Sequence, residues 1–585
     1  MRTPLTRWWI ALCILCVVLV AGPALLFAAR YNTGLFPTPT MASLPFSTPL
    51  PTQTPERREP ARSAPATIPP SPEQETVLVA PAPSPSPPAH GPQVLTLLGS
   101  PQGVLTLDPA LVQDADSAFV IRQIFRGLID FDDHLMPIPA LAQQVRVSAD
   151  QLTYTITLRD KLTFQDGTPL TAWDVKYSFE RATDPALVGG DGRKLPAWNV
   201  FRDLVGAEDR MLGRRNDIPG IRIIDDQTLE IQLTRPSPTL LLRLATPPAF
   251  IVSQANVETG PNWWKHPNGS GPFRVAQWSD RLLVLEGVPS YRPSPPILHE
   301  VRIKLGLDAL DPVTQYEQGQ IDLADVPLNE LDRILAPRSP YRNQLQMQPL
   351  FEGNFLFINP DLPPFTDPAV RRALVQAIDV TKLVHVTLQD RVVEAKGIVP
   401  AGVLGQDWTA SLVPFDPAAA SSILHAVTAS APLELSSGGS DVLVVLAKAL
   451  ERDIHVPVHV LNYDWPDYLA DLSHHRFACF LVSWLADYPD PEAFLSTLFR
   501  SDSPDNMLGY NDPQIDALLD RASHSTDPLV RVAIYRAVQQ QLLDAAIVVP
   551  LYQDVAYILV QPRVHGLPLT PLGILGLERV WIAGS

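Results

Sequence analysis

The chain has 585 residues, too long for one core and enough for roughly three or four domain-sized units. Hydrophobic residues make up 46% and charged residues 18%, so most of the chain folds rather than staying disordered. The net charge of −17 comes from scattered acids with no basic stripe, which excludes nucleic acid as a partner and biases the protein only weakly toward cationic ligands.

The chain opens with seven residues containing Arg2 and Arg7, followed by 22 uncharged positions, Trp8 to Ala29. As a helix at about 1.5 Å per residue these cover roughly 33 Å, enough for a bilayer. The basic flank predicts residues 1–7 in the cytoplasm and everything after Arg30 outside. A cleaved signal peptide, cut after Ala24 or Ala28, is the competing reading. The apolar stretch exceeds the usual signal core of about 7–15 residues, which favours an uncleaved anchor. Cys13 and Cys16 form a C-x-x-C inside this stretch, where neither redox nor metal chemistry is expected, and no small residue precedes them to mark lipidation. Residues 36–92 carry 17 of the 62 prolines, mixed with Ser, Thr and Ala, so residues 30–92 read as a disordered, semi-rigid tether.

The globular part begins at Gln93. Val94–Leu98 and Val104–Leu107 are expected strands, Ser117–Leu128 has helical spacing, and Tyr154–Leu158 alternates as a half-buried strand. Asp166-Gly-Thr168 is a tight turn, and Thr171 is positioned to cap a helix running through Arg181. Ile221–Leu233 reads as a hairpin turning at Asp225-Asp226. Strands at Phe355–Ile358 and Val456–Leu461 alternate with helices at 368–386, 440–452 and 513–545. The order is α/β, in more than one lobe. Cys479 lies on a strand, as a small core residue. Phe477–Ser483 is apolar and β-prone, and Trp484-Leu-Ala-Asp-Tyr-Pro-Asp-Pro491 follows it. A strand that ends in an aromatic residue and a carboxylate, then breaks at prolines, sets an acid at the lip of a sheet. Such an acid suits an ammonium group, although a solvated turn has the same signature.

Catalytic signatures are missing: there is no P-loop, zinc-protease helix, nucleophile elbow or EF-hand. Asn268-Gly-Ser-Gly271 is expected to be a close-packed turn, since a phosphate cradle would need a further glycine and a following helix. His474 and His475 are adjacent, diverge by about 100° on a helix and so suit a solvated helix end better than a shared metal. No catalytic residue, cofactor or metal is expected.

From Gln93 onward the chain resembles the extracellular solute-binding proteins of family 5, the peptide and nickel receptors of ABC importers. The resemblance rests on Leu158–Val175 (LRDKLTFQDGTPLTAWDV), Asn268–Phe273 (NGSGPF), Tyr316–Asp322 (YEQGQID), Phe357–Asn359, Pro364–Leu374 (PFTDPAVRRAL), Tyr510–Asp516 (YNDPQID) and Val549–Leu551. It implies a two-lobed periplasmic-binding-protein-like fold with an extra third domain. Lobe I is expected at 93–133, 220–345 and 546–585, the extra domain at 134–219 and lobe II at 346–545. Strands near Leu350–Asn359 and near 545 would hinge the lobes over a ligand.

The resemblance also implies site residues. Asp487 matches the aspartate that holds a peptide's α-amino group. Ser483, Trp484 and Leu485 match the strand that pairs with an extended peptide backbone, Gln113, Asp114 and Ala115 match the opposing segment, and Trp465 matches an aromatic pocket wall. Trp465 and Trp484 serve equally well as core. The chain departs from the pattern at Leu481, where oligopeptide receptors carry an arginine for the ligand carboxylate, and at Asn354, Phe355 and Leu356, which stand where tyrosines are common. Glu352 is a further acid near the cleft. The implied function is a non-enzymatic, membrane-anchored receptor that binds a small peptide or similar amine-bearing solute and delivers it to ABC permease subunits served by a separate ATPase. A nickel-chelate or oligosaccharide receptor and an anchored sensor are the alternatives. Asp487 argues mildly against the first two, and the short cytoplasmic end argues against the third.

Overall fold

Two long strands, Leu345–Ile358 and Val548–Val560, run antiparallel at the centre of the molecule. The computed structural model describes residues 76–80, 91–100, 103–306 and 311–584, all within one unit, Ser71–Ser585. The expected anchor at 8–29, with Cys13 and Cys16, the cytoplasmic residues 1–7 and most of the tether lie outside the described residues. Among the described residues no helix is long and apolar enough to cross a membrane.

The central pair belongs to a seven-stranded sheet in the order Leu323–Asp325, Val548–Val560, Leu345–Ile358, Cys479–Leu485, Leu433–Ser437, Val458–Asn462, with Val393–Glu394 also against Val548–Val560. Its middle strands are continuous apolar runs because both faces are covered. Leu356, Ile358, Cys479 and Leu481 enter one core, while Phe355, Phe357, Phe480 and Val482 enter another on the opposite face. Cys479 is thus the small core residue its position suggested.

A five-stranded sheet has the order Thr76–Val79, Ala142–Val147, Thr153–Leu158, Thr228–Gln232, Ile221–Asp225. A four-stranded sheet joins Val94–Leu98, Glu300–Lys304, Leu282–Gly287 and Phe273–Trp278. The hairpin at 221–233 forms as expected, with Asp225 opposite Thr228. Its second strand, Thr228–Gln232, pairs with Thr153–Leu158, so this sheet runs across the boundary expected at 219/220. Thr76–Val79, assigned from composition to the disordered tether, is also a strand, antiparallel to Ala142–Val147. The physical reason is local: Thr-Val-Leu-Val is β-branched and apolar, in a proline-free interval between Pro72 and Pro81.

Other expectations need correction. Val104–Leu107 is not a strand, because the Leu105 and Thr106 amides donate to the Ser117 hydroxyl at 3.0 and 3.2 Å instead of to a neighbouring strand. The helix expected at 117–128 spans Ala115–Ile124. The Asn268–Gly271 turn packs against its end, where the Gly271 amide donates to the Ile124 carbonyl at 2.7 Å. A Cβ on Gly269 would fall 2.1 Å from the Ile124 carbonyl oxygen, which is why glycine stands there. The helical stretch at 513–545 is two helices, Pro513–His524 and Pro528–Asp544, because Asp527 caps a new start with proline in its first turn. Thr171 does cap the helix Ala172–Ala182, in a reciprocal capping box with Asp174.

Candidate functional site

The strands Leu433–Ser437, Val458–Asn462 and Cys479–Leu485 run parallel, so their carboxyl ends share one edge of the seven-stranded sheet. Leu345–Ile358 runs the other way, which brings Glu352 opposite Leu485 and Asn354 opposite Ser483 at that same edge. Carboxyl edges of parallel strands are where open α/β sheets bind ligands, since backbone and side chains there face a crevice rather than a core.

Asp487 follows this edge. The Ala486 amide donates to the Phe351 carbonyl at 2.9 Å, tying the segment to the central strand just before the acid. Water reaches the Asp487 side chain, yet protein encloses it so fully that burial pushes its carboxyl up to about 6, with the Arg122 guanidinium pulling the other way. The two observations agree for an acid in a recess of the protein surface, where solvent is present but bulk hydration is not.

Three more acids share this setting. Burial, then the charge of Asp487, pushes Asp505 up to about 7 against a hydrogen bond from Asn199. Burial, then Asp554, pushes Glu352 up to about 8, and burial raises Asp554 as well. The cation acting on Asp487 is Arg122, and it is already engaged: Nη1 lies 3.1 Å from Asp130, and Nη2 donates to the Ala245 carbonyl at 3.1 Å.

The residues expected to bind ligand sort into distinct roles. The Ser483 hydroxyl donates to Asn354 Oδ1 at 2.5 Å, and Asn354 Nδ2 donates to Asp554 at 3.3 Å, so the buried Asn354 side chain is held by its neighbours. Trp484 is half-buried against the core, with its indole N–H on the Ala493 carbonyl at 2.9 Å, which positions the turn after it. Leu485 is half-buried opposite Glu352. Trp465 opens the helix Trp465–Ser473 at the same sheet edge, half-buried, its ring 6.1 Å from that of Tyr468 and stacked over Gly438. His474 and His475, both exposed, end that helix.

Asp114 caps the helix Ala115–Ile124, accepting from the Ser117 amide at 2.8 Å, with Gln113 and Ala115 exposed beside it. This segment meets the rest of the site through its helix: Arg122, about two turns on, is the residue whose charge reaches Asp487. Asp116 and Asp325 form another burial-raised acid pair there. Leu481, the position of the missing arginine, is buried in the apolar core around Leu356 and Val549. Sequence reading missed Arg122, Asp505 and Asp554. Arg122 and Asp554 are far from Asp487 in the chain, Asp505 lies in a following loop, and none carries a local pattern that marks it.

The chain matches bacterial extracellular solute-binding proteins, family 5 (middle region), over residues 136–506, more than half its length. It belongs to this solute-binding family.

The solute-binding protein is 28% identical over 487 residues to the periplasmic oligopeptide-binding protein OppA of Escherichia coli K12, covering 79% of this chain and 88% of that one. It is 28% identical over 493 residues to the periplasmic murein peptide-binding protein MppA of the same organism, with the same coverage. A structure of the Escherichia coli murein tripeptide binding protein MppA superposes with a TM-score of 0.76 at 26% identity, over 85% of this chain and all of that one. The unliganded open form of MppA gives a TM-score of 0.61 at 26% identity, over 84% and 98% of the two chains. The periplasmic-binding-protein-like α/β fold expected from sequence is therefore the observed one.

Proposed function

We propose that this protein is the extracytoplasmic receptor of an ABC importer, which takes up small peptides or similar amine-bearing solutes between two hinged lobes and hands them to permease subunits. Asp487 carries the reading. It is a water-accessible carboxylate in a recess of the protein surface, facing an excess of acids. Its part is to accept a charge-assisted hydrogen bond from the ligand's α-ammonium group. The relatives named for oligopeptide and murein-peptide binding support peptides as the class. Ser483–Leu485 pairs with Glu352–Asn354 on one side and lies beyond the Ser436–Phe480 pairing on the other, and its backbone supplies pairing to an extended chain, which leaves sequence selection to side-chain pockets. Energy for transport comes from a separate ATPase.

The lobes follow the divisions expected from sequence except that Thr76–Val79 and the hairpin Ile221–Gln232 go with the extra domain's sheet, and Leu345–Ile358 with Val548–Val560 forms the hinge. Residues 8–29 anchor the protein to the outer face of the membrane, with the segment before Thr76 as tether. N-terminal sequencing of membrane-bound protein tests the anchor, since a start at Leu25 or Ala29 means cleavage.

Calorimetry with trialanine and N-acetyl-trialanine tests the site. The free amine binds and the acetylated peptide does not, and Asp487→Ala weakens binding by about 1.5–3 kcal/mol. Equal affinity for the two peptides overturns the reading.

A further inference from the structure

Five residues beyond Asp487, Glu492 opens the helix Glu492–Phe499, with every residue of that helix buried. Its carboxylate reaches out of the seven-stranded layer. Oε2 accepts from the Thr239 hydroxyl at 2.7 Å, and Oε1 lies 3.6 Å from Arg202. Thr239 and Arg202 belong to the layer of the five-stranded sheet, where the Val205 amide donates to the Gln232 carbonyl and Thr239 precedes the short helix Leu240–Arg243. Glu492 is 2% exposed and Thr239 0%. A charge sealed this far from water needs its partners, and among the described residues parting the two layers leaves Glu492 with Arg531, at 3.9 Å.

The segment between Asp487 and Glu492 has little slack. Asp490 accepts from the Glu492 amide at 3.0 Å and from Arg531 Nη2 at 2.8 Å, and Pro489 and Pro491 stiffen the backbone on either side. Further bonds cross between the same layers. The Asn199 amide group donates to Asp505 at 2.9 Å, Arg235 forks onto Asp520 at 2.6 and 2.7 Å, and His524 lies 3.2 Å from Asp203. Asp203 is in turn bound by the fully buried Arg243 at 2.5 Å. Asp487 and Glu492 are therefore the two ends of one rigid six-residue link. One end meets the ligand site, and the other clasps the opposite layer.

We propose that Glu492 is a positioning residue that couples the ligand anchor at Asp487 to closure of the two layers, through its clasp on Thr239 and Arg202. This rests on the peptide-receptor reading for its ligand, but not for its clasp. The clasp holds the link in the position that presents Asp487, an ammonium group seated on Asp487 strengthens it, and an unclasped Glu492 leaves Asp487 mispositioned.

The test uses the full-length protein in detergent, with Glu492→Gln and Thr239→Val singly and together, read by trialanine calorimetry and by hydrogen–deuterium exchange. Glu492→Gln and Thr239→Val each weaken trialanine about tenfold, and the double variant is little weaker than either single one, as expected for two halves of one contact. Without peptide, both variants exchange faster at Leu240–Arg243 and Glu492–Phe499, with no change in the strands Cys479–Leu485 and Thr228–Gln232. Thr239→Val leaves no buried charge unpaired beyond the lost bond, so it stands as the test if Glu492→Gln fails to fold. Wild-type affinity in Thr239→Val, additive losses in the double variant, or unchanged exchange in the peptide-free variants overturns the proposal. A wild-type protein that ignores trialanine while the variants still show faster exchange overturns the peptide reading and keeps the clasp.

Discussion

Leu481 lies directly opposite Leu356 across the antiparallel strands Cys479–Leu485 and Leu345–Ile358, and both side chains are buried in one apolar core. The position that carries a carboxylate-binding arginine in oligopeptide receptors is here part of the packing. Leu481→Ala is expected to lower unfolding stability by about 2–4 kcal/mol with little effect on affinity. Leu481→Arg buries an unpaired charge, costs about 3 kcal/mol or more and gains no preference for a free ligand carboxylate. Denaturant melts and calorimetry with trialanine and its C-terminal amide check both outcomes.

Ligand affinity should fall with acid. Burial holds Asp487 up at about 6, with Arg122 opposing the shift and Asp505 as the neighbouring acid. Binding an ammonium group requires the ionised form, which is present above that value and lost below it. Trialanine should bind most tightly near pH 7, where Asp487 is ionised and the peptide amine still charged, and lose up to about tenfold per unit below pH 6. Calorimetry across this range on the wild type and on Asp487→Asn, which should show no such step, checks the prediction.

Asp505 stands beside Asp487 with its carboxyl pushed up to about 7, and Asn199 is its hydrogen-bond donor. A ligand with a second cation satisfies both acids. Trilysine should bind more tightly than trialanine, and Asp505→Asn should erase that difference, a loss of about 1 kcal/mol or more for trilysine alone. Competition binding with the two peptides measures it.

Glu352 carries the opposite kind of signature, in stability. Its folded carboxyl sits near 8 against an ordinary 4.5, because burial and then Asp554 disfavour its charge. The protonated form is the one the fold prefers. That contribution is complete below about 4.5 and is lost as pH rises through about 8. Glu352→Gln should match the wild type at pH 4.5 and exceed its stability at pH 9, by about 1 kcal/mol or more. Thermal melts at the two pH values decide the point.

Thr76–Val79 forms the edge of the five-stranded sheet against Ala142–Val147. A protein beginning at Gln93 loses that strand and exposes a new edge. Its melting temperature should be about 2–4 °C below that of one beginning at Ser71.

Much of this architecture is legible along the chain because its causes are local. Thr171 and Asp174 are three residues apart, so their capping box is written in the sequence, and the Asn268–Gly271 turn is marked by its glycines. Expectations failed where a distant group overruled a local preference. Val104–Leu107 has strand composition, yet the Ser117 hydroxyl takes its amides. Thr76–Val79 sits in a proline-rich segment, yet Ala142–Val147 offers it a free edge.

The same division holds for the site. Sequence alone determined that an acid follows a buried strand at Asp487, that no arginine stands at 481, and that no nucleotide-binding loop accompanies them. Tertiary structure alone decided what that acid is. Its pKa is set by the protein that encloses it, against the pull of Arg122 from 365 positions earlier in the chain, and its charge in turn raises Asp505 in a following loop. The clasp of Glu492 on Thr239 spans 253 positions. Desolvation and charge act through space, and spacing along a chain does not encode which groups the fold will bring within reach.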